Sequence, residues 1–177
     1  MHFGPPMSLG LTTSGGRFRE RDEAGFTLVE LMAVMIIIGI LAAIAIPKLT
    51  AGADTARRNA DIATAHELKS ALDRFQVENG VYPKTSELSV DTFGKVTGGG
   101  TAAGFIPKYI NRLDASTTQQ KPADAANKGF GVEELRTDWS GYHPGHLIMV
   151  FLTPDGSTAE VAAYDATLTH VLWTSAQ

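Results

Sequence analysis

A run of 22 residues, Phe26–Pro47 (FTLVELMAVMIIIGILAAIAIP), carries a single charge, Glu30. As a helix rising about 1.5 Å per residue it spans roughly 33 Å, enough to cross a bilayer core of about 30 Å. Three readings of residues 1–47 compete. The first is a secretory signal cleaved at the small residues Ala43-Ile44-Ala45, and the second is an ordinary membrane anchor. The third is a leader cut before Phe26 that leaves the apolar segment on the mature chain. Two features favour the third. The run exceeds the usual apolar core of a signal peptide, about 7–15 residues, and it flows without a break into an amphipathic stretch. Glu30 also lies four residues into the span, where a lone ion costs about 2.5–3.5 kcal/mol, so it needs a partner.

The rest of the chain divides around this run. Residues 1–25 hold Pro5, Pro6 and several glycines, then three arginines (Arg17, Arg19, Arg21) offset by Glu20, Asp22 and Glu23. They show no helical or strand period and read as a flexible leader. From Lys48 to Asn79, Leu49, Ala53, Ala56, Ala60, Ala63, Leu68, Leu72 and Phe75 recur at three- to five-residue steps, with charges including Asp61 filling the remainder. This spacing predicts an amphipathic helix, residues 48–80, stopped at Asn79-Gly80. One helix of about 54 residues and on the order of 80 Å is expected, weakened at Gly39 and Pro47 and kinked by the proline. The remainder, 81–177, is rich in turn residues until LIMVFLT (147–153), TAEVAAY (158–164) and LTHVLWT (168–174), which predict three strands. Pro154-Asp155-Gly156-Ser157 marks one hairpin turn and Asp165-Ala166-Thr167 a second. The expected fold class is α+β, with a long N-terminal helix packed on a small C-terminal antiparallel sheet.

Composition narrows the function classes. The 177 residues include no cysteine, which removes disulfides, thiolate zinc sites and cysteine nucleophiles together. Lys+Arg number 15 against 19 Asp+Glu, a net charge of -4, and the aromatics are not interleaved with a basic patch. Direct nucleic-acid binding is therefore unsupported.

Gly25-Phe26-Thr27-Leu28-Val29-Glu30 resembles the cleavage motif of type IV prepilins and of type II secretion pseudopilins, and Gly25–Pro47 as a whole is similar to the spine of that family. Val81-Tyr82-Pro83 after Asn79-Gly80 resembles the turn that ends the family helix. The resemblance covers roughly Gly25–Pro83. It implies cleavage after Gly25 by a prepilin peptidase that also methylates the new amine of Phe26. It places the family's acidic assembly residue at Glu30 and its helix-kinking proline at Pro47. It further implies a pool held in inner-membrane lipid and homopolymerisation through the N-terminal helices, driven by an assembly platform and a motor ATPase. The filament would be an extracellular pilus or a periplasmic pseudopilus. The balanced leader charge departs from a plainly basic one, and the head lacks the disulfide loop of many pilins.

Other motifs are weaker. His143-Pro144-Gly145-His146 sets two imidazoles three apart in a turn, without the further ligands of a metal site. His66-Glu67 lacks the second histidine of a zinc motif because Ser70 stands there. Gly98–Gly104 matches a phosphate-cradle pattern only superficially, with no clear strand before it or helix after it. His170 reads as a surface position in the last strand. Asp114, Asp124 and Asp138 lack the dense spacing of a calcium loop. No catalytic residue, metal or cofactor is expected. The main reading is a structural subunit of a type IV pilus-like filament, the alternative a secretion pseudopilin, and the third a membrane-anchored enzyme or ligand-binding head.

Overall fold

The computed structural model describes residues 25–176, so the leader read over residues 1–25 lies, apart from Gly25, outside the described residues. Contacts divide the chain into two units, Met1–Ala43 and Ile44–Gln177. Helix α1 (Leu28–Asn79, 52 residues) begins in the first and ends in the second, two residues later than the sequence places its start. Thr27 accounts for that difference, because its side chain caps the helix.

In the first unit the described side chains have no interior to occupy. Every residue from Gly25 to Ala43 is exposed except the half-buried Ala42. The β-branched and long apolar residues from Leu28 to Ile46 are each at least 53% exposed. Pro47 is accommodated inside α1. The hydroxyl of Thr50 turns back onto the carbonyls of Ile46 (3.3 Å) and Pro47 (3.0 Å).

In the second unit α1 buries Asp61, Ala65, Leu68, Ala71, Leu72 and Phe75. This corrects the expected stripe. Leu49, Ala53, Ala56 and Ala63 are exposed, and Asp61, assigned to the polar face, is fully buried. Gly80 ends the helix as expected, with φ +81° and its N–H on the carbonyl of Gln76 at 2.7 Å. Tyr82 then donates its N–H to Gly156 at 2.9 Å, which ties the helix exit to a hairpin turn.

A two-stranded hairpin follows, β1 (Leu88–Val90) and β2 (Val96–Gly98), then a single-turn helix α2 (Phe105–Lys108). The main sheet has the order β3 (Phe130–Glu134), β4 (Ile148–Leu152), β5 (Ala159–Tyr164), β6 (Val171–Thr174). β3 runs parallel to β4, and the other pairs are antiparallel. β4 and β5 fall within one residue of their expected ends. Gly156 takes φ +75° in the turn between them. β6 is shorter than the expected 168–174, because Leu168 takes φ +58° and the N–H of His170 turns back to the Asp165 carboxylate. The second connection therefore runs from Asp165 to His170, and His170 precedes the strand. β1, β2 and β3 lie where the sequence shows only scattered apolar pieces.

The core between α1 and the sheet joins Leu68, Leu72 and Phe75 to Phe130, Ile148, Val150, Leu152, Val161 and Ala163. Phe105 and Tyr109 close its end against Phe75, with ring centroids 5.8 and 5.4 Å away. All five residues of β4 are buried, because Leu135, Tyr142 and Leu168 cover the outer face over Met149, Phe151, Ala162 and Tyr164.

Asp61 is the one buried charge of α1. Its carboxylate accepts the N–H of Gln119 (2.6 Å), the N–H of Gln120 (3.1 Å) and the Gln120 side-chain amide (3.0 Å). The same amide donates to the Tyr164 carbonyl at 3.0 Å. One carboxylate thus fastens the 119–120 segment and the end of β5 to the helix. Asp61→Ala leaves three donors unsatisfied and is expected to destabilise the head by about 3 kcal/mol, with Asp61→Asn costing less. Urea unfolding of the full chain in detergent checks this, and a loss below about 0.5 kcal/mol would contradict the fastening role.

Asp165 organises the β5–β6 connection. Burial raises its pKa, but hydrogen bonds from the Thr167 hydroxyl, the His170 and Thr169 N–H groups and the His170 ring outweigh burial and set it at about 2. A carboxyl lowered from 3.8 stabilises the fold fully above that value and loses the contribution as pH falls toward 2. The side-chain carboxyl carbon resonance of Asp165 is expected to show no protonation step of its own from neutral pH to about 4 and to titrate below it.

Candidate assembly surface

The expected site residues fall at two places on one helix. Gly25, Phe26 and Glu30 lie at its N-terminus, and Gly39 and Pro47 lie further along it. Phe26 is 88% exposed. The Glu30 carboxylate turns back on its own helix end: Oε2 accepts the N–H of Thr27 at 2.9 Å and the Thr27 hydroxyl at 3.0 Å. In return, the Glu30 N–H donates to Thr27 Oγ1 at 3.2 Å. This is a capping box, in which an N-cap threonine and a glutamate three positions on satisfy each other's orphan donors. Thr27 is thus a site residue that motif reading passed over, although T-x-x-E ahead of an apolar run is its sequence signal. Both bonds to the carboxylate use Oε2. Glu30 Oε1 has no hydrogen-bond partner among the described residues.

At Gly39 an added Cβ meets nothing within 4 Å, so the isolated chain does not itself require glycine there. The apolar surface around these residues is continuous, and α1 is long and apolar enough to cross a membrane.

The weaker motifs resolve into local structure. Gly98 ends β2, and Gly100–Gly104 forms a 3-10 turn leading into α2, so this stretch does follow a strand. Its donors already have an anion, because the N–H and hydroxyl of Thr101 reach Glu87 Oε1 at 3.2 and 2.7 Å. His66 lies against Trp173, ring centroids 4.0 Å apart. His146 is half-buried while His143 is exposed. Asp114, Asp124 and Asp138 each cap a local turn through the N–H of Ser116, Ala126 and Ser140. Among the described residues no group of three or more His, Asp or Glu side chains is placed to hold a metal ion.

Residues 21–46 match the family model described as the prokaryotic N-terminal methylation motif. The chain is 37% identical over 137 residues to the type II secretion system core protein G of Pectobacterium carotovorum subsp. carotovorum, covering 76% of this chain and 78% of that one. It is 39% identical over 69 residues to the protein of that name from Klebsiella michiganensis and 37% over 67 residues to that from Vibrio cholerae. Those two alignments cover 39% and 38% of this chain and span about half the length of the relatives, 49% and 46%. No solved structure matches. A methylation motif, an exposed apolar helix and an α+β head together define the class of pilins and pseudopilins. Within it, the chain belongs to the family of type II secretion system core protein G, whose members are structural pseudopilins rather than enzymes. The relatives thus favour the pseudopilin reading over a subunit of a type IV pilus.

The capping box carries its own test. Thr27→Val removes the hydroxyl that joins both ends of the box and is expected to cost about 1 kcal/mol of local helix stability. Hydrogen exchange at the Glu30 amide of the precursor in detergent should then quicken about fivefold, while amides beyond Leu41 keep their rates.

Proposed function

We propose that this chain is a pseudopilin that is stored in the inner membrane through residues 26–47 and polymerises through the same helix into a periplasmic pseudopilus serving protein export. The observation that carries this reading is the methylation motif placed directly ahead of an apolar helix face with nothing over it. Residues 1–25 act as a leader removed after Gly25 by a prepilin peptidase, which also methylates the Phe26 amine. Residues 48–80 and 81–177 form the helix half and the head that remain outside the bilayer. An assembly platform and a motor ATPase drive extraction from the lipid.

In the polymer, Leu31, Met32, Val34, Met35 and Ile36–Ile38 fill the spaces between helices, and Gly39, Ala42 and Ala43 allow close backbone approach. Each large side chain withdrawn from water contributes roughly 1.5–3 kcal/mol. Contacts of this head-to-tail kind do not close on themselves and so build a helical fibre. Gly39 and Pro47 bound the stretch where α1 unwinds most cheaply, since glycine costs about 1 and proline about 3 kcal/mol in a helix interior. Unwinding there gives the polymer extensibility.

Glu30 of one subunit meets the Phe26 amine of its neighbour and fixes axial register, because a purely apolar helix slides by a turn at little cost. Removing one partner of such a buried pair costs roughly 3–5 kcal/mol. Glu30→Val is expected to be cleaved and inserted normally yet to leave few sheared filaments. Glu30→Asp should be intermediate. Glu30→Gln keeps an oxygen for the cap and loses the charge, so it should fail with Glu30→Val if pairing matters and behave as wild type if only the cap does. Mass spectrometry should find a mature chain beginning at methylated Phe26. A mature chain beginning after Ala45 would sink the leader reading. Loss of the gene should abolish export of a secreted enzyme, and surface fibres lost in its place would return the pilus reading.

A further inference from the structure

A pocket of about 350 Å³ lies on the sheet face opposite α1, at the β6 edge. Ala162 lies low in it and Phe151 beside it, while Trp139 and Tyr142 cover one side. The three rings meet edge to face: Trp139 and Phe151 are 4.7 Å apart, Tyr142 and Phe151 5.7 Å, Trp139 and Tyr142 5.3 Å. Trp139 remains 41% exposed. Glu160 also lines the pocket and stands directly opposite Phe151 in the β4–β5 register, which puts both side chains on one face. Its carboxylate has no ion pair or hydrogen bond among the described residues.

The wall on the β6 side is an open sheet edge. Among the described residues β6 pairs only with β5. Ser175 donates its N–H to Val161 at 2.9 Å, so the alternation of an antiparallel ladder aims the backbone N–H and carbonyl of Thr174 away from β5. Thr174 also lines the pocket through its side chain. β6 carries neither lysine nor proline, two of the residues that commonly blunt an exposed edge.

We propose that this pocket and the free edge of β6 form a docking site for an extended segment of another protein that presents an arginine or lysine side chain. The added strand pairs its backbone with Thr174. Its alternate side chains fall on the outer face, and the one above Ala162 enters the pocket. A long basic side chain suits both halves of the lining. Its aliphatic stem lies on Ala162 and Phe151, and its charged end meets Glu160 and the ring faces, which attract cations through their quadrupoles. The aromatic cluster already holds one cation on its outer side, with the Arg136 guanidinium carbon 5.2 Å from the Tyr142 centroid. An acidic side chain would face an uncompensated carboxylate in the same place.

The site is independent of polymerisation, so its test uses dispersed full-length chain in detergent micelles, and its failure leaves the assembly proposal untouched. The Trp139 indole N–H resonance, assigned by its loss in Trp139→Phe, reports occupancy. The Trp173 indole, tilted against His66 on the opposite face, reports that the head is intact. The probe is a capped pentapeptide, Thr-Val-Arg-Val-Thr amide, with versions carrying norleucine or glutamate at the centre and one with N-methylated backbone amides. The arginine peptide should shift the Trp139 signal saturably and bind at least about tenfold more tightly than the glutamate peptide. Glu160→Gln should weaken the arginine peptide about tenfold and leave the norleucine peptide unchanged. N-methylation should abolish binding. Equal binding of the arginine and glutamate peptides, indifference to Glu160→Gln, or no saturable shift would overturn the proposal. So would concentration-dependent self-association that shields Trp139 and the Thr174 amide, since it would assign the face to a second copy.

Discussion

Four turns of one helix, from Asp61 to Phe75, decide how the second unit is built. Ala65 and Ala71 are small enough for the sheet to come close, and Leu68, Leu72 and Phe75 fill the space between. Among the described residues no other long helix closes the inner face of the four-stranded sheet, so its strands depend on this contact for burial. Asp61 sets where the contact begins. A buried carboxylate without a cation is tolerable only when its lone pairs are used, and three donors from Gln119 and Gln120 use them. One turn earlier, Arg57 is bound at 2.7 Å to Asp54 on the exposed surface. The helix passes from core element to solvated rod within that turn.

Before that point the problem reverses. From Leu28 to Ile46 the large apolar side chains are each more than half exposed, a run of a kind that soluble monomers rarely present. Lipid and neighbouring helices are the two environments in which such a surface is stable, and the proposed storage and polymerisation would use both. The glycine at position 39, which nothing in the isolated chain requires, fits the second environment. Separating the two tasks along one helix lets the head fold by its own packing while the apolar face stays free.

What the sequence made legible follows from the strength of each local signal. The helix end was readable because Asn79-Gly80 offers the left-handed residue that a stop demands, and β4 and β5 because their apolar runs flank Pro154–Ser157. The early half of the stripe misled, since alanines at helical spacing look alike whether buried or exposed. Only the sheet chooses among them, and it lies about 65 to 125 residues away in the chain. Asp61 could not be foreseen as core for the same reason: its donors are 58 and 59 positions distant. β3 hid because Gly131 interrupts its alternation, and a parallel partner leaves no turn signature between it and β4. The capping box at Thr27–Glu30 has its own signal, T-x-x-E ahead of an apolar run, but a lone charge inside an apolar span is the stronger signal at the same position and hides it.

Glu30 caps its own helix, and the proposed pairing would place a second demand on the same carboxylate. A helix terminus entering an apolar medium must satisfy its first N–H groups without water. Thr27 and Glu30 satisfy two such groups, their own N–H donors, and they engage one carboxylate oxygen. The second oxygen has no hydrogen-bond partner among the described residues, so the proposed ammonium partner would not have to dismantle the cap. Holding the carboxylate in place beforehand also removes part of the side-chain entropy that such a pair would otherwise cost on assembly. Glutamate suits this double use because its two-carbon stem reaches back to the N-cap from the third helical position, as aspartate's shorter stem does not. The helix terminus therefore carries the charge by itself, and the proposed pairing would add to the cap rather than replace it.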